Sequence, residues 1–327
     1  MKQNRRRALA ALAAACIATG AGEAVAQAWP AKPITIVVSY PAGGDTDAIA
    51  RAYAEKLSAR LGQQVIIDNR PGASGTIGNS YVAKSAPDGY TLLFTPSTFP
   101  IAQHVLKVAP AVAHDVVKDF TPIIKSGNIP LLVVTAPATG IKDMKQFIAE
   151  AKAGKPFTYG SPGSGSPMHI AGEMLNKSAG LKVTHVPYKG VAPVVTDALG
   201  GHVTVGWITP GAVGQHVSTG KLIPLAVGER ARTKLMPNVP TLIELGYKDL
   251  DVSAWMGLLG PRGLPADIVR TINAHFNEVL KMPDIAARMA QLGIEPVGGE
   301  PAVLARQISS DDETFGRLIK EFGIKSE

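Results

Sequence analysis

The stretch Ile34–Arg51, ITIVVSYPAGGDTDAIAR, decides how the rest of the chain is read. Ile34–Val38 is an unbroken run of β-branched residues, which predicts a buried strand of a parallel sheet. The run breaks at Tyr40-Pro41-Ala42-Gly43-Gly44. It restarts with Asp45, Thr46 and Asp47, ahead of Ile49, Tyr53, Leu57 and Leu61 at helical spacing. Strand, glycine turn and helix start leave backbone N–H groups at the positive end of a helix dipole, where an anion docks. The glycines let that backbone approach a ligand closely. An ordinary βα turn with an Asp cap has the same pattern. Thr158–Ala171, TYGSPGSGSPMHIA, repeats the arrangement of short strand, Gly/Ser loop and helix. Two such loops, far apart in sequence, can face each other across one site; the alternative for the second is a flexible Ser/Gly turn.

Outward from Ile34 the first residues stand apart. Lys2 and Arg5–Arg7 form a basic head, Ala8–Ala21 an apolar segment, and Ala24-Val25-Ala26 a small-residue cleavage site. This predicts a secretory signal peptide over 1–26, too short to span a membrane. Asn4-Arg5-Arg6-Arg7-Ala8-Leu9 loosely resembles a twin-arginine signal and Ala13-Ala14-Ala15-Cys16 a lipoprotein box, but the plain secretory pattern fits better. Removing 26 of the 327 residues leaves 301, enough for two domains with sizeable cores. Cys16 is the only cysteine, so the processed chain has no thiol chemistry and no disulfides. The signal carries three of the seven net positive charges, and the remaining basic residues are scattered, which argues against nucleic acid. A mildly positive body suits small anionic ligands.

Further along, strands are expected at 65–68, 90–95, 121–124, 131–135, 157–160, 182–187, 202–208, 222–227 and 252–259. Helices are expected at 77–84, 101–106, 141–153, 168–179, 191–199 and 212–219, then from Pro265, and at 301–322. Residues 96–130 are less regular and 228–251 are loop-rich. The alternation predicts an α/β protein with two sheet-and-helix series, joined near 131–136 and again near 251–259. The second series therefore lies inside the first: 27–130 plus 252–327 form lobe 1, and 131–251 lobe 2. A chain that crosses twice makes a two-strand hinge with a ligand cleft between the lobes.

Enzyme signatures are missing. Gly72-Ala73-Ser74-Gly75-Thr76 and Gly163-Ser164-Gly165-Ser166-Pro167 both fail the G-x-S-x-G elbow, and there is neither a P-loop nor a dinucleotide fingerprint. The seven histidines show no H-E-x-x-H or H-x-H spacing, so no metal and no cofactor is expected. What remains is donors: the N–H groups of Gly43, Gly44, Ala73, Ser74, Gly163, Ser164, Gly165 and Ser166, and the hydroxyls of Thr46, Ser74, Ser97, Ser161, Ser164 and Ser166. His169 either donates to a ligand or caps a surface helix. Hydrogen bonds to a charged acceptor are worth roughly 1.5–3 kcal/mol each, so a few of them hold a carboxylate at micromolar affinity without any arginine.

The blocks WPAKPITIVVSYPAGGDTDAIAR, DNRPGASGTIGNSYVAKSAPDGYTLLF, FTYGSPGSGSPMHIAGEML, HVPYKGVAPVVTDALGGHV, GKLIPLAV and MPNVPTLIELG run in order through the processed chain. They resemble the extracytoplasmic solute receptors of tripartite tricarboxylate transporters, the Bug-type receptors. The resemblance implies a two-lobed periplasmic-binding-protein (Venus-flytrap, type II-like) fold, each lobe a mixed, mainly parallel sheet flanked by helices. It also implies a periplasmic receptor that closes over a carboxylated ligand and delivers it to membrane permease subunits; the expectation for this chain is a monomer, not an enzyme, with a small mono- or dicarboxylate, aromatic ones included, as ligand. In that family the loops matching Tyr40–Asp47 and Ser161–Ser166 grip one carboxylate. The full set of expected ligand contacts is Tyr40, Pro41, Ala42, Gly43, Gly44, Asp45, Thr46, Asp47, Ala73, Ser74, Ser97, Ser161, Gly163, Ser164, Gly165, Ser166, His169, Tyr188 and Trp207.

The chain departs from the family pattern at Asp45, where a small residue or proline is common. It departs again in Gly201–Trp207, with Thr204 in place of an aspartate and Trp207 in place of Phe or smaller. Trp207 either stacks on an aromatic ligand or packs in lobe 2. A ligand module of a sensor and a cell-envelope hydrolase are the competing functions; the absent elbow and metal spacing count against the second.

Overall fold

The structure is a computed structural model and describes residues 29–188, 190–248 and 250–324. The expected signal peptide at 1–26 and Lys189 of the PYKG loop lie outside the described residues. The chain builds β1 (Ile34–Val38), α1 (Asp45–Leu61), β2 (Val65–Asn69), α2 (Thr76–Ala83), β3 (Thr91–Pro96), α3 (Thr98–Val105) and β4 (Phe120–Ile129). It continues with β5 (Leu132–Thr135), α4 (Met144–Lys152), β6 (Thr158–Ser161), α5 (Pro167–Ala179), β7 (Thr184–Pro187), α6 (Val191–Gly200), β8 (Val205–Ile208), α7 (Pro210–Ser218) and β9 (Ile223–Val227). It ends with β10 (Ala254–Pro261), α8 (Ala266–Leu280), α9 (Pro283–Gln291), β11 (Glu295–Pro296) and α10 (Pro301–Phe322).

Strand alternation explains why helices cover both faces of each sheet. Ile34, Ile36 and Val38 of β1 join one core with Ile49, Tyr53 and Leu57 of α1, while Val37 joins another with Trp255, Leu259, Leu304 and Ile308. In the second sheet Leu131 and Val133 face the first of these cores, and Leu132 and Val134 a third. The hydrophobic runs of the sequence are therefore two-sided strands.

The first sheet has the order β11-β4-β10-β3-β1-β2 and the second β7-β6-β8-β5-β9. Both are mixed. Most strands of each run one way, yet β10 pairs antiparallel with both β3 and β4, and β5 antiparallel with both β8 and β9. The expectation of mainly parallel sheets thus holds for strand directions and fails for pairings, because in each sheet one reversed strand is inserted in the interior. Two elements escaped the sequence: α9 and β11, which lie between α8 and α10. β4 is also longer than expected, since the polar stretch 125–128 continues the strand. Two of its polar side chains have partners: Lys125 Nζ donates to Gln307 Oε1 at 2.7 Å and Ser126 Oγ to the Met256 carbonyl at 3.1 Å, while the buried Asn128 Oδ1 accepts from none of the described residues. Beside them Trp255 Nε1 donates to Asp311 Oδ2 at 2.6 Å, fixing α10 to β10.

The chain passes between the sheets after Ile129 and returns before Ala254, and these residues pair with each other in the first sheet. At the crossing Gly228 N donates to the Leu131 carbonyl at 2.9 Å, and Val252 N to the Gly228 carbonyl at 2.7 Å. A Cβ on Gly228 would lie 3.2 Å from the Val252 oxygen and 3.3 Å from the Trp207 ring, so the crossing is packed tightly. A cavity of about 390 Å³ next to it gathers Lys125, Glu229, Arg230, Asp251, Glu295 and Asp311. Burial, then the charges of Glu295 and Asp251, push the Glu229 carboxyl up to about 7, against the pull of Lys125 and a hydrogen bond with Ser253.

An acid whose folded-state pKa lies above its unfolded value costs stability as pH rises from the unfolded to the folded value. For Glu229 that window runs from 4.5 to about 7. Glu229→Gln is therefore expected to be more stable than the unaltered chain at pH 8, by about 1–2 kcal/mol once solvent screening is allowed for. The difference should vanish toward pH 4.5. Parallel urea titrations of the two proteins across this range measure it, and a constant difference would remove Glu229 as its source.

Candidate functional site

A cavity of about 520 Å³ lies between the two sheets, on the side where β1 and β6 end. Open α/β sheets bind ligands at that end of their strands. One wall is Tyr40, Pro41, Gly44, Asp45 and Thr46 after β1, with Ser74 and Thr98; the facing wall is Pro162–Ser166 after β6, with Gly190 and Val191. Four helices begin at this cavity: α1 at Asp45, α3 at Thr98, α5 behind its N-cap Ser166, and α6 behind its N-cap Gly190. Each contributes partial positive charge at its first turn. The N–H groups of Gly44, Asp45, Thr46, Ala73 and Ser74 donate to no acceptor among the described residues. Ala73 and Ser74 sit at φ +47° and +51°, left-handed strain that non-glycine residues tolerate mainly at functional sites.

The two loops are held from behind by buried polar groups. Asp47, 3 % exposed, accepts from Gly43 N and Arg51 Nε through Oδ2, and from Asn69 Nδ2 through Oδ1, each at 2.9 Å. Burial alone would raise its pKa, but the bonds from Arg51, Gly43 and Asn69 prevail and hold the carboxyl below its ordinary value. Asn69 Nδ2 also donates to the Tyr40 carbonyl at 3.1 Å, so turn, helix and second strand are tied at one point. Tyr40 OH bonds to Thr98 Oγ1 and reaches the Ser74 carbonyl at 3.3 Å; burial pushes this phenol up to about 12.

On the facing wall His169 Nδ1 accepts from Gly165 N at 3.0 Å. The His169 ring stacks on His185, centroids 3.7 Å apart and planes 8° off parallel. Burial, and for His169 the neighbouring His185, lowers them to about 3 and about 4, so both rings are neutral near pH 7. A neutral ring is what lets His169 accept the loop's N–H. His185 Nε2 bonds to Ser161 Oγ at 2.7 Å, which carries the bracing to the strand end.

Of the expected ligand contacts, the structure brings Tyr40, Pro41, Gly44, Asp45, Thr46, Ser74, Gly163, Ser164, Gly165 and Ser166 to the cavity. The others do not border it. Ala42, Gly43 and Ala73 are exposed elsewhere on their loops. Asp47, Ser161 and His169 are the buried braces just described. Four of the N–H groups expected to be free are spent inside the loops: Gly43 on Asp47, Gly165 on His169, Ser166 on the Gly163 carbonyl, and Gly163 on Ser161 Oγ. Ser97 is 1 % exposed, and its neighbour Thr98 takes the place at the cavity. Tyr188 turns its hydroxyl to Asp197 Oδ2 at 2.6 Å. Trp207, 1 % exposed, packs under the crossing at Gly228, so of its two readings the structure has packing, and Trp207 does not line the cavity as a ligand contact. Thr204 braces the second sheet, its Oγ1 accepting from Thr158 N at 3.1 Å.

Sequence reasoning missed Thr98, Ala102, Val105, Leu106, Gly190 and Val191, and named Pro162 only as part of the Ser161–Ser166 loop. The spacing of Thr98, Ala102, Val105 and Leu106 was a legible signal, one helix face at i, i+4, i+7 and i+8. It marks an apolar wall, so the cavity combines donors at one end with hydrocarbon along the side. Among the described residues no group of three or more His, Cys, Asp or Glu side chains is placed to hold a metal ion, and no helix is long and apolar enough to cross a membrane.

The model of the "Tripartite tricarboxylate transporter family receptor" family matches residues 49–324. The chain is 34 % identical over 302 residues to Protein BugT of Bordetella pertussis (strain Tohama I), covering 92 % of each. Among solved structures, periplasmic binding protein BugD superposes with a TM-score of 0.75 at 30 % identity, over 91 % of this chain and 100 % of that one. The R. palustris protein Rpa4515, solved with adipate, gives 0.78 at 30 % identity, over 91 % and 99 %.

The brace at Asp47 makes a direct prediction. In Asp47→Asn the amide nitrogen replaces one acceptor oxygen and the charge opposite Arg51 is lost. Equilibrium unfolding of the ligand-free protein should show a loss of about 2–3 kcal/mol near pH 7. Because the folded-state pKa is depressed, the unaltered chain loses this contribution as pH falls below about 4, and the two proteins should converge there. Equal stability at pH 7 would show that Asp47 ties nothing together.

Proposed function

The chain belongs to the tripartite tricarboxylate transporter receptor family, and from that premise we propose that it captures a small carboxylate between its lobes and hands it to a membrane permease. The observation that carries this reading is the convergence of four helix N-termini on one cavity, with unpaired N–H groups of Gly44, Asp45 and Thr46 on one side and the Gly163–Ser166 loop on the other. An anion there needs no arginine. That Rpa4515 is solved with adipate agrees with it. The relatives are solute receptors and not enzymes. The reading takes 27–130 with 252–327 as one lobe and 131–251 as the other. It takes the segment 1–26 as cleaved on export, leaving the receptor in the periplasm, the compartment named for BugD.

The ligand contacts are the residues that border the cavity, with Asp47 and His169 as positioning residues behind them. Closure brings the lobes together at two glycines. A Cβ on Gly165 would lie 2.6 Å from Val105 Cγ2 across the cleft, and one on Gly211 would lie 2.4 Å from the Leu292 carbonyl. Gly165 also sits at φ +77°, a conformation side chains disfavour. A ligand that touches both walls binds the closed state better than the open one, and that difference drives closure.

Thermal-shift titration of the processed chain with short carboxylates and the matching amides tests the reading. Carboxylates should raise the melting temperature, amides should not, and small-angle scattering should show compaction with the former. Gly165→Ala should weaken carboxylate binding by about tenfold or more while changing the ligand-free melting temperature little. Amides that stabilise as well as carboxylates would overturn the anion site. Undiminished binding in Gly165→Ala would remove the second loop from it.

A further inference from the structure

Asp45 borders two cavities at once. One is the cleft of about 520 Å³, and the other is an adjoining recess of about 360 Å³ lined by Val191, Ala192, Val195, Gly211, Ala212 and Leu292. The recess is walled by aliphatic side chains and by the glycine where α7 meets the turn after α9. A ligand whose carboxylate lies against the helix N-termini therefore extends past Asp45 into hydrocarbon surroundings.

Among the described residues that line the two cavities, Asp45 is the only one with a charged side chain. It does not serve as the helix cap: the N-cap of α1 is Gly44, and no side-chain cap bond is made there. None of the described residues donates a hydrogen bond or forms a close ion pair to the Asp45 carboxylate. Asp45 is exposed, yet partial enclosure by the cleft walls raises its pKa, and the charge of Arg288 on α9 lowers it in part. A carboxylate left without a partner at the mouth of an apolar recess repels a second ligand carboxylate and attracts a cationic group.

We propose that the preferred ligand is an amino-carboxylate, its carboxylate held at the helix N-termini and its ammonium, on a short aliphatic chain, paired with Asp45. This rests on the carboxylate reading above and deepens it. The recess favours the chain, Asp45 selects the far end, and both are built by residues of this molecule.

Two series of equal chain length test it by calorimetric titration of the processed protein: butyrate, succinate and 4-aminobutyrate, then hexanoate, adipate and 6-aminohexanoate. In at least one series the amino member should bind about tenfold or more tightly than both its companions. Asp45→Asn should reduce that preference by about tenfold, and Asp45→Ser should do the same should the first variant be poorly behaved. A dicarboxylate or plain carboxylate that binds as tightly as the amino member in both series overturns the inference and leaves the carboxylate grip standing. So does an amino preference that survives loss of the Asp45 charge. No binding by any of the six compounds would overturn the carboxylate reading itself and this inference with it.

Discussion

The direction in which the chain enters each lobe constrains everything else. The parallel strands of both sheets end at the cleft, and the chain crosses there as well. A strand that follows a crossing must run away from the cleft, against its neighbours. This is why β5, first after the outward crossing, and β10, first after the return, are the antiparallel strands set inside sheets whose other strands, the short edge strand β11 apart, run one way. Each reversed strand begins at the hinge and anchors it in the interior of a sheet, where Ile129 pairs with Ala254 and Gly228 bonds to Leu131. With the crossings fixed, the loops after β1 and β6 can only meet across the cleft.

What those loops do depends on which polar groups are spent and which are left over. Asp47 and His169 look like ligand contacts in a sequence, since each stands in a glycine loop at the start of a helix. In the fold they accept hydrogen bonds from Gly43 and Gly165 and so hold the loops open toward the cavity. What remains to face the cavity is the first-turn N–H groups of α1 and the exposed hydroxyls. A preorganised backbone site of this kind costs little to order on binding, which suits a receptor that must also release its cargo. The neutral His169–His185 stack adds a condition: the acceptor on Nδ1 exists only while the rings stay unprotonated.

Charge within the site is deliberately sparse. Helix dipoles provide attraction without a fixed cation among the described lining residues, and Asp45 stands alone as a negative group at the entrance to the apolar recess. The hinge cluster around Glu229 lies on the β4, β10 and β11 side, with its own cavity. The two carboxyls act on different equilibria, one on which ligand is held and the other on how stable the crossing is.

The sequence by itself determined the elements and the order in which they are strung. Period-two and period-3.6 patterns in β1, α1 and α10 are local properties, and glycine loops announce themselves by composition. Both walls of the cleft were legible for the same reason, down to Gly44, Thr46 and the Gly163–Ser166 loop. Tertiary structure decided the pairing of the sheets, because β10 lies more than 120 residues from both the β3 and the β4 strand it separates, and no local pattern records such a partner. It also decided what each polar residue is for. Asp47 and Asp45 stand two positions apart in one motif. One is buried against Arg51, Gly43 and Asn69, and the other faces a cavity without a partner. Thr98 rather than Ser97 reaches the cavity because neighbouring residues point in different directions. Trp207 packs at the hinge because the crossing at Gly228 needs a large side chain beneath it. Direction and burial are set by the packing of distant segments, and that is where the sequence stops speaking.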